Sequence, residues 1–137
     1  MKTAMSAIQA LDAQQHKIIA YLDTINNELL NNYQRCDFIN GMLSQLELLC
    51  QFHFMEEERL MDEMASPAAA EHKHLNNMFL VAIDQLKTEH NQCHSPAVVT
   101  DFKQLRDDLA GHMQSEKIVY STLMNDNAPE DSASVAP

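Results

Sequence analysis

The feature that most restricts how this chain can fold is an unbroken three-four ladder: Ile39, Met42, Leu43, Leu46, Leu49, Cys50, His53, Glu57, Leu60, Met61 and Met64. That spacing turns every member to one side of an α-helix, so the segment must be a helix that buries this face. Two members break its apolar character. His53 and Glu57 stand four residues apart, one above the other on a helix, in line with side chains that belong in a core. A carboxylate in such a place requires a proton, a cation or a hydrogen-bond partner.

Three more ladders flank this one. Asp12 with Gln15 three residues on reads as a capping pair that opens a first helix near residue 12, after a short arm over residues 1–10. His16, Ile19, Leu22, Ile25, Leu29 and Tyr33 then trace its inner face, with His16 in the first turn. Ser66-Pro67 places a capping serine before a proline at the first position of a third helix, whose broad inner face holds His72, Leu75, Asn76, Phe79, Leu80, Ile83 and Leu86. His74, about 200° round from His72, faces outward. Ser95-Pro96 repeats the start signal for a fourth helix bearing Val99, Phe102, Leu105, Leu109, His112, Glu116, Val119 and Leu123. There again a histidine and a glutamate four apart occupy apolar positions. His90, Cys93 and His94, between the last two helices, read as a solvated connection, because a metal cluster there has no second half in the sequence.

These ladders predict an all-α fold, an antiparallel up-down-up-down four-helix bundle over residues 11–124. Composition agrees, with two glycines and 45% hydrophobic residues among 137. From Asn125 to Pro137 the chain turns to Asn, Asp, Ala, Pro, Glu and Ser, and reads as a disordered tail or a linker to a signalling output domain. The net charge of -11 speaks against nucleic acid or an anionic membrane surface as partner. No apolar run approaches the roughly 18–20 residues of a membrane span, and no secretory signal is evident. Three cysteines, Cys36, Cys50 and Cys93, odd in number and without CxxC spacing, suit reduced thiols, and the chain reads as cytoplasmic.

In an up-down bundle, His16 and His72 come early in helices one and three, while His53 and His112 come late in helices two and four. All four histidines are therefore expected at one end, with Glu57 and Glu116 a turn away. Apart from Lys117, no basic residue is expected at that level of the inner face. Two neighbouring buried carboxylates repel unless a positive charge lies between them, and imidazole with carboxylate donors suits iron or manganese.

Asp12-Ala13-Gln14-Gln15-His16, then His53-Phe54-Met55-Glu56-Glu57-Glu58-Arg59-Leu60-Met61, then His72 with Phe79 seven residues on, then His112, resembles the hemerythrin-like (HHE cation-binding) domain. The strongest shared motif is HFxxEExxM, unbroken here, and the similarity spans about residues 11–124. The resemblance implies two non-haem irons, or one, with an oxo, hydroxo or water bridge. His16 and His53 would serve one iron, His72 and His112 the other, and Glu57 would bridge them. Two departures stand out. Asn76 occupies the place of a second histidine after His72, and Lys117 that of a bridging aspartate after His112; Glu116, one residue earlier, offers a replacement. With fewer protein ligands on one iron, the resemblance implies a sensor of dioxygen, nitric oxide or redox state. The alternatives are an oxidase, peroxidase-like or nitrosative-stress repair enzyme, or a structural bundle without metal.

Overall fold

The computed structural model describes residues 4–89 and 96–126. They form four helices, α1 (Ala4–Asn32), α2 (Cys36–Glu63), α3 (Ala69–Glu89) and α4 (Ala97–Asp126). Each packs on its neighbours in sequence and α1 closes the ring against α4, which is the expected four-helix bundle. Turns as short as residues 33–35 and 64–68 leave no length for a crossover, so consecutive helices run antiparallel. No helix of the described residues is long and apolar enough to cross a membrane.

The joint between α2 and α3 follows from local chemistry. The Met64 N–H bonds back to the Leu60 carbonyl and the Ser66 N–H to that of Met61, closing the end of α2. Ser66 Oγ then accepts from the Ala68 N–H at 3.2 Å and caps the turn that leads into α3, which begins at Ala69, two residues beyond the Pro67 start that the sequence predicts. Ala65, between them, has φ 51°, the left-handed region where a side chain is strained. Ala65→Gly should therefore stabilise the fold by about 0.5–1 kcal/mol, read as a higher urea midpoint at unchanged m-value.

Two apolar clusters fill the bundle. The larger includes Leu22, Ile25, Leu43, Leu46, Ile83 and Phe102, and the smaller is Leu11, Leu60 and Tyr120 with Ala7, Ile8 and Met64 around it. The buried polar groups His53, Glu57 and Glu116 are shared between α2 and α4.

The first helix departs from expectation. It begins by Ala4, so residues 4–10 are its first turns rather than an arm, and Asp12 and Gln15 lie inside it rather than at its cap. Its buried line is Leu11, Gln15, Ile18, Leu22, Ile25 and Leu29. Ile18 and Ile19 both fit an inward position on spacing alone; Leu11, burying in the smaller cluster, selects the phase through Ile18. The fourth helix reaches Asp126, two residues beyond the predicted end, and the rest of the predicted tail lies outside the described residues, as do His90, Cys93 and His94. Cys50 is a buried free thiol, whereas Cys36 is disulfide-bonded, so the three cysteines are not all reduced as expected.

Candidate metal centre

Helices α2 and α4 each aim a one-turn pair inward: His53 with Glu57, and His112 with Glu116. His53, Glu57 and Glu116 are fully buried, and one ligand atom from each lies within 4.8 Å of the others. Among the described residues no lysine or arginine is buried, so none supplies a countercharge there.

The proton positions bear on what this group can bind. His53 Nδ1 stands 2.9 Å from Gln14 Oε1, an atom that only accepts, so Nδ1 carries the proton and donates. The other ring nitrogen, Nε2, faces Glu116 Oε2 at 3.2 Å and Glu57 Oε2 at 3.7 Å, where it either carries a second proton and donates or offers its lone pair to a cation. Three donor atoms thus converge on one space, and protons, neutral hydrogen-bond donors or a cation must lie among them. Fixing an imidazole by a bond to its far nitrogen is also how metal-ligating histidines are oriented.

Around the carboxylates lies a ring of neutral donors. Tyr120 Oη is 2.5 Å from Glu57 Oε2 and 2.7 Å from Glu116 Oε2, so its single hydrogen serves one of two acceptors at a time. Gln15 Nε2 donates to Glu116 Oε2 at 3.0 Å. Asn76 Nδ2 donates to Glu57 Oε1 and Glu58 Oε2, each at 3.2 Å, while its Oδ1 accepts from His112 Nε2 at 2.9 Å. Asn76, carried by α3, is thus a hydrogen-bond hub between α2 and α4.

Glu116 touches both histidine pairs. Its Oε2 faces His53, and its Oε1 lies 2.8 Å from His112 Nε2, although out of line for a hydrogen bond, which leaves this buried oxygen without one. His72 is also buried, 5.6 Å from His112 between ring centroids, and neither of its nitrogens has a hydrogen-bond partner. Unsatisfied buried groups of this kind cost about 1–3 kcal/mol each and mark a place for an ion or water.

His16 is not part of this group. Its side chain is 67% exposed and sits 3.7 Å from Asp12 on the outer side of α1, because the helix phase puts Gln15 inward instead. His16→Ala should leave metal content unchanged, measured by elemental analysis after loading with ferrous iron, whereas His53→Ala should reduce it. His74 is exposed, as the spacing requires. Tyr120, Gln15 and Gln14 were less legible. Tyr120 extends the line His112, Glu116 by one more four-residue step, which is the one sequence signal of its place.

Burial sets the electrostatics of the flanking groups. It lowers the His112 imidazole to about 4, with repulsion from His72 and His53 adding to the effect. It lowers His72 as well, against a smaller opposing pull from Glu71 and Glu58. The Cys50 thiol is pushed up to about 12 by burial and then by Glu116 and Glu47, so it remains a thiol in the core and no thiolate ligand. Burial and then Glu116 raise the Tyr120 phenol well above its usual range. Since His112 and His72 are depressed in the fold, the unfolded chain takes up protons first on acidification. Their contribution to stability is complete above about pH 6.5 and is lost as pH falls toward the folded-state values. Urea midpoints of metal-free protein should therefore decrease from pH 7 to 4.5, and His112→Asn should flatten part of that decline.

A cleft of about 600 Å³ between α1 and α4, lined by Asp12, His16, Lys117 and Tyr120 among others, ends on the tyrosine that closes the buried group. Fold and site together define a four-helix bundle whose buried His53, Glu57 and Glu116 can hold a metal ion. Comparison with protein-family models, curated proteins and solved structures gives no match.

Proposed function

We propose that this bundle binds non-haem iron and responds through it to dioxygen, nitric oxide or redox state, as the hemerythrin-like resemblance implies. The observation that carries the reading is the convergence of Glu57, Glu116 and His53 Nε2 in a fully buried space, with no lysine or arginine buried among the described residues. Nitrogen and carboxylate donors, with the nearby Cys50 held as a thiol, suit iron or manganese better than the softer thiophilic metals. The primary ion belongs to His53, Glu57 and Glu116. A second belongs beside His72 and His112, where Glu116 Oε1 lacks a hydrogen bond and gives the carboxylate two usable sides. Complete burial of the donors favours a diatomic ligand over a bulky substrate. When bound, iron supplies a redox-active Lewis acid; the residues hold it, orient it and keep bulk water out.

A metal-free structural bundle is the second reading. It is favoured by the bonds that Tyr120, Gln15 and Asn76 already make to the carboxylates, which let protons occupy the place of an ion. Metal content and the visible spectrum of aerobically purified protein, followed through anaerobic reduction and return to air, separate the two. One or two irons per chain with reversible bands support the iron reading, and two would also support the His72 and His112 position. No iron after ferrous loading would leave the structural bundle. Multiple turnovers with peroxide or nitric oxide would move the assignment from sensor to enzyme.

A further inference from the structure

We propose that Tyr120 is a fourth donor to the ion held by His53, Glu57 and Glu116, binding ferric iron as a phenolate. The inference rests on the iron reading and specifies its ligand set and preferred oxidation state. Donors bound to one ion at about 2.0–2.2 Å lie roughly 3 Å apart when they meet at right angles. Here Tyr120 Oη is 2.5 Å from Glu57 Oε2 and 2.7 Å from Glu116 Oε2, and His53 Nε2 is 3.2 and 3.7 Å from Glu116 Oε2 and Glu57 Oε2. These separations bracket the value that a shared ion requires. The phenol also has one hydrogen for two carboxylate oxygens, so with both glutamates ionised one of its close approaches lacks a proton. A cation between the oxygens removes that conflict.

Position and charge agree. Tyr120 lies one helical step beyond Glu116 on the same face of α4, and Leu11 and Leu60 pack its ring. Gln15 Nε2, 3.4 Å from Oη and 3.0 Å from Glu116 Oε2, remains able to donate to a phenolate. As the iron–oxygen bond forms, the phenol O–H breaks and its proton leaves to water through the cleft between α1 and α4, with no change in oxidation state. Two carboxylates and one phenolate carry three negative charges, which match ferric iron in a buried site; the carboxylates alone match ferrous iron.

The test is resonance Raman and visible absorption of protein loaded with ferrous iron and then oxidised in air. The chain has three tyrosines, Tyr21, Tyr33 and Tyr120. The Tyr21→Phe/Tyr33→Phe variant should keep a visible charge-transfer band with iron–phenolate ring modes that shift on ring-deuterated tyrosine. Tyr120→Phe should lose both while retaining iron, and its ferric form should be easier to reduce. Iron binding without phenolate modes in the double variant would overturn the inference and leave the iron reading intact. Failure of the wild-type chain to bind iron would overturn both, and neither outcome depends on the folding of Tyr120→Phe.

Discussion

Glu57→Gln should lower iron affinity by more than about a hundredfold and at the same time raise the melting temperature of the metal-free protein. Loss of a supporting hydrogen bond typically costs metal affinity about 10–100-fold, and removal of a ligating carboxylate should cost at least as much. The opposite sign for the metal-free fold comes from the hydrogen-bond arithmetic. In the wild type a single Tyr120 hydrogen stands between Glu57 and Glu116. A glutamine at position 57 keeps one oxygen for Asn76 and turns its amide toward the tyrosine oxygen, which then donates to Glu116. Both close contacts of the tyrosine then carry a proton and one of two buried carboxylates is neutralised, a change worth about 1 kcal/mol or more. Isothermal titration with ferrous iron under anaerobic conditions gives the first quantity, and thermal melts in chelator give the second. A variant that weakens both would mark Glu57 as merely structural.

Iron itself should raise the melting temperature of the wild-type chain. An ion that binds only the folded state stabilises it by about 2.7 kcal/mol when free ligand stands at a hundred times Kd. For a domain of this size that corresponds to a shift on the order of 10 °C. The shift should vanish in Glu57→Gln, persist in His16→Ala, and be reversed by chelation. Calorimetric scans with and without ferrous iron, in the absence of oxygen, measure it directly. An unchanged melting temperature in wild type would show that protons from Tyr120, Gln15 and Asn76 already satisfy the site.

Particular residues show why some of the centre was legible in the chain and some was not. His53, Glu57, His112 and Glu116 each interrupt a long apolar ladder whose phase is set by many neighbours, so their inward direction follows from spacing. His16 stands near the start of α1, where Ile18 and Ile19 admit two phases 100° apart and an early capping pattern suggests a start that the helix ignores. The seven additional helical residues from Ala4 to Ala10, with Leu11 beyond them, turn Gln15 inward and His16 out. Neutral side chains carry a weaker signal still. Gln14 and Gln15 are ordinary on a helix surface and Asn76 reads as one more member of an inner face; only a partner on another helix shows that Asn76 bridges Glu57 and His112 or that Gln14 meets an imidazole.

The division follows from the range of the forces involved. A helix and its buried face are local consequences of periodicity, so four helices, their antiparallel order and the burial of His53, Glu57 and Glu116 are written in the order of residues. Whether those groups meet at bonding distance depends on rotations and depths of separate helices. These are set by packing between segments up to about a hundred residues apart, such as Gln15 on Glu116 and Tyr120 on Glu57. Tertiary structure alone therefore excluded His16, made Asn76 a hub and brought Tyr120 against both carboxylates.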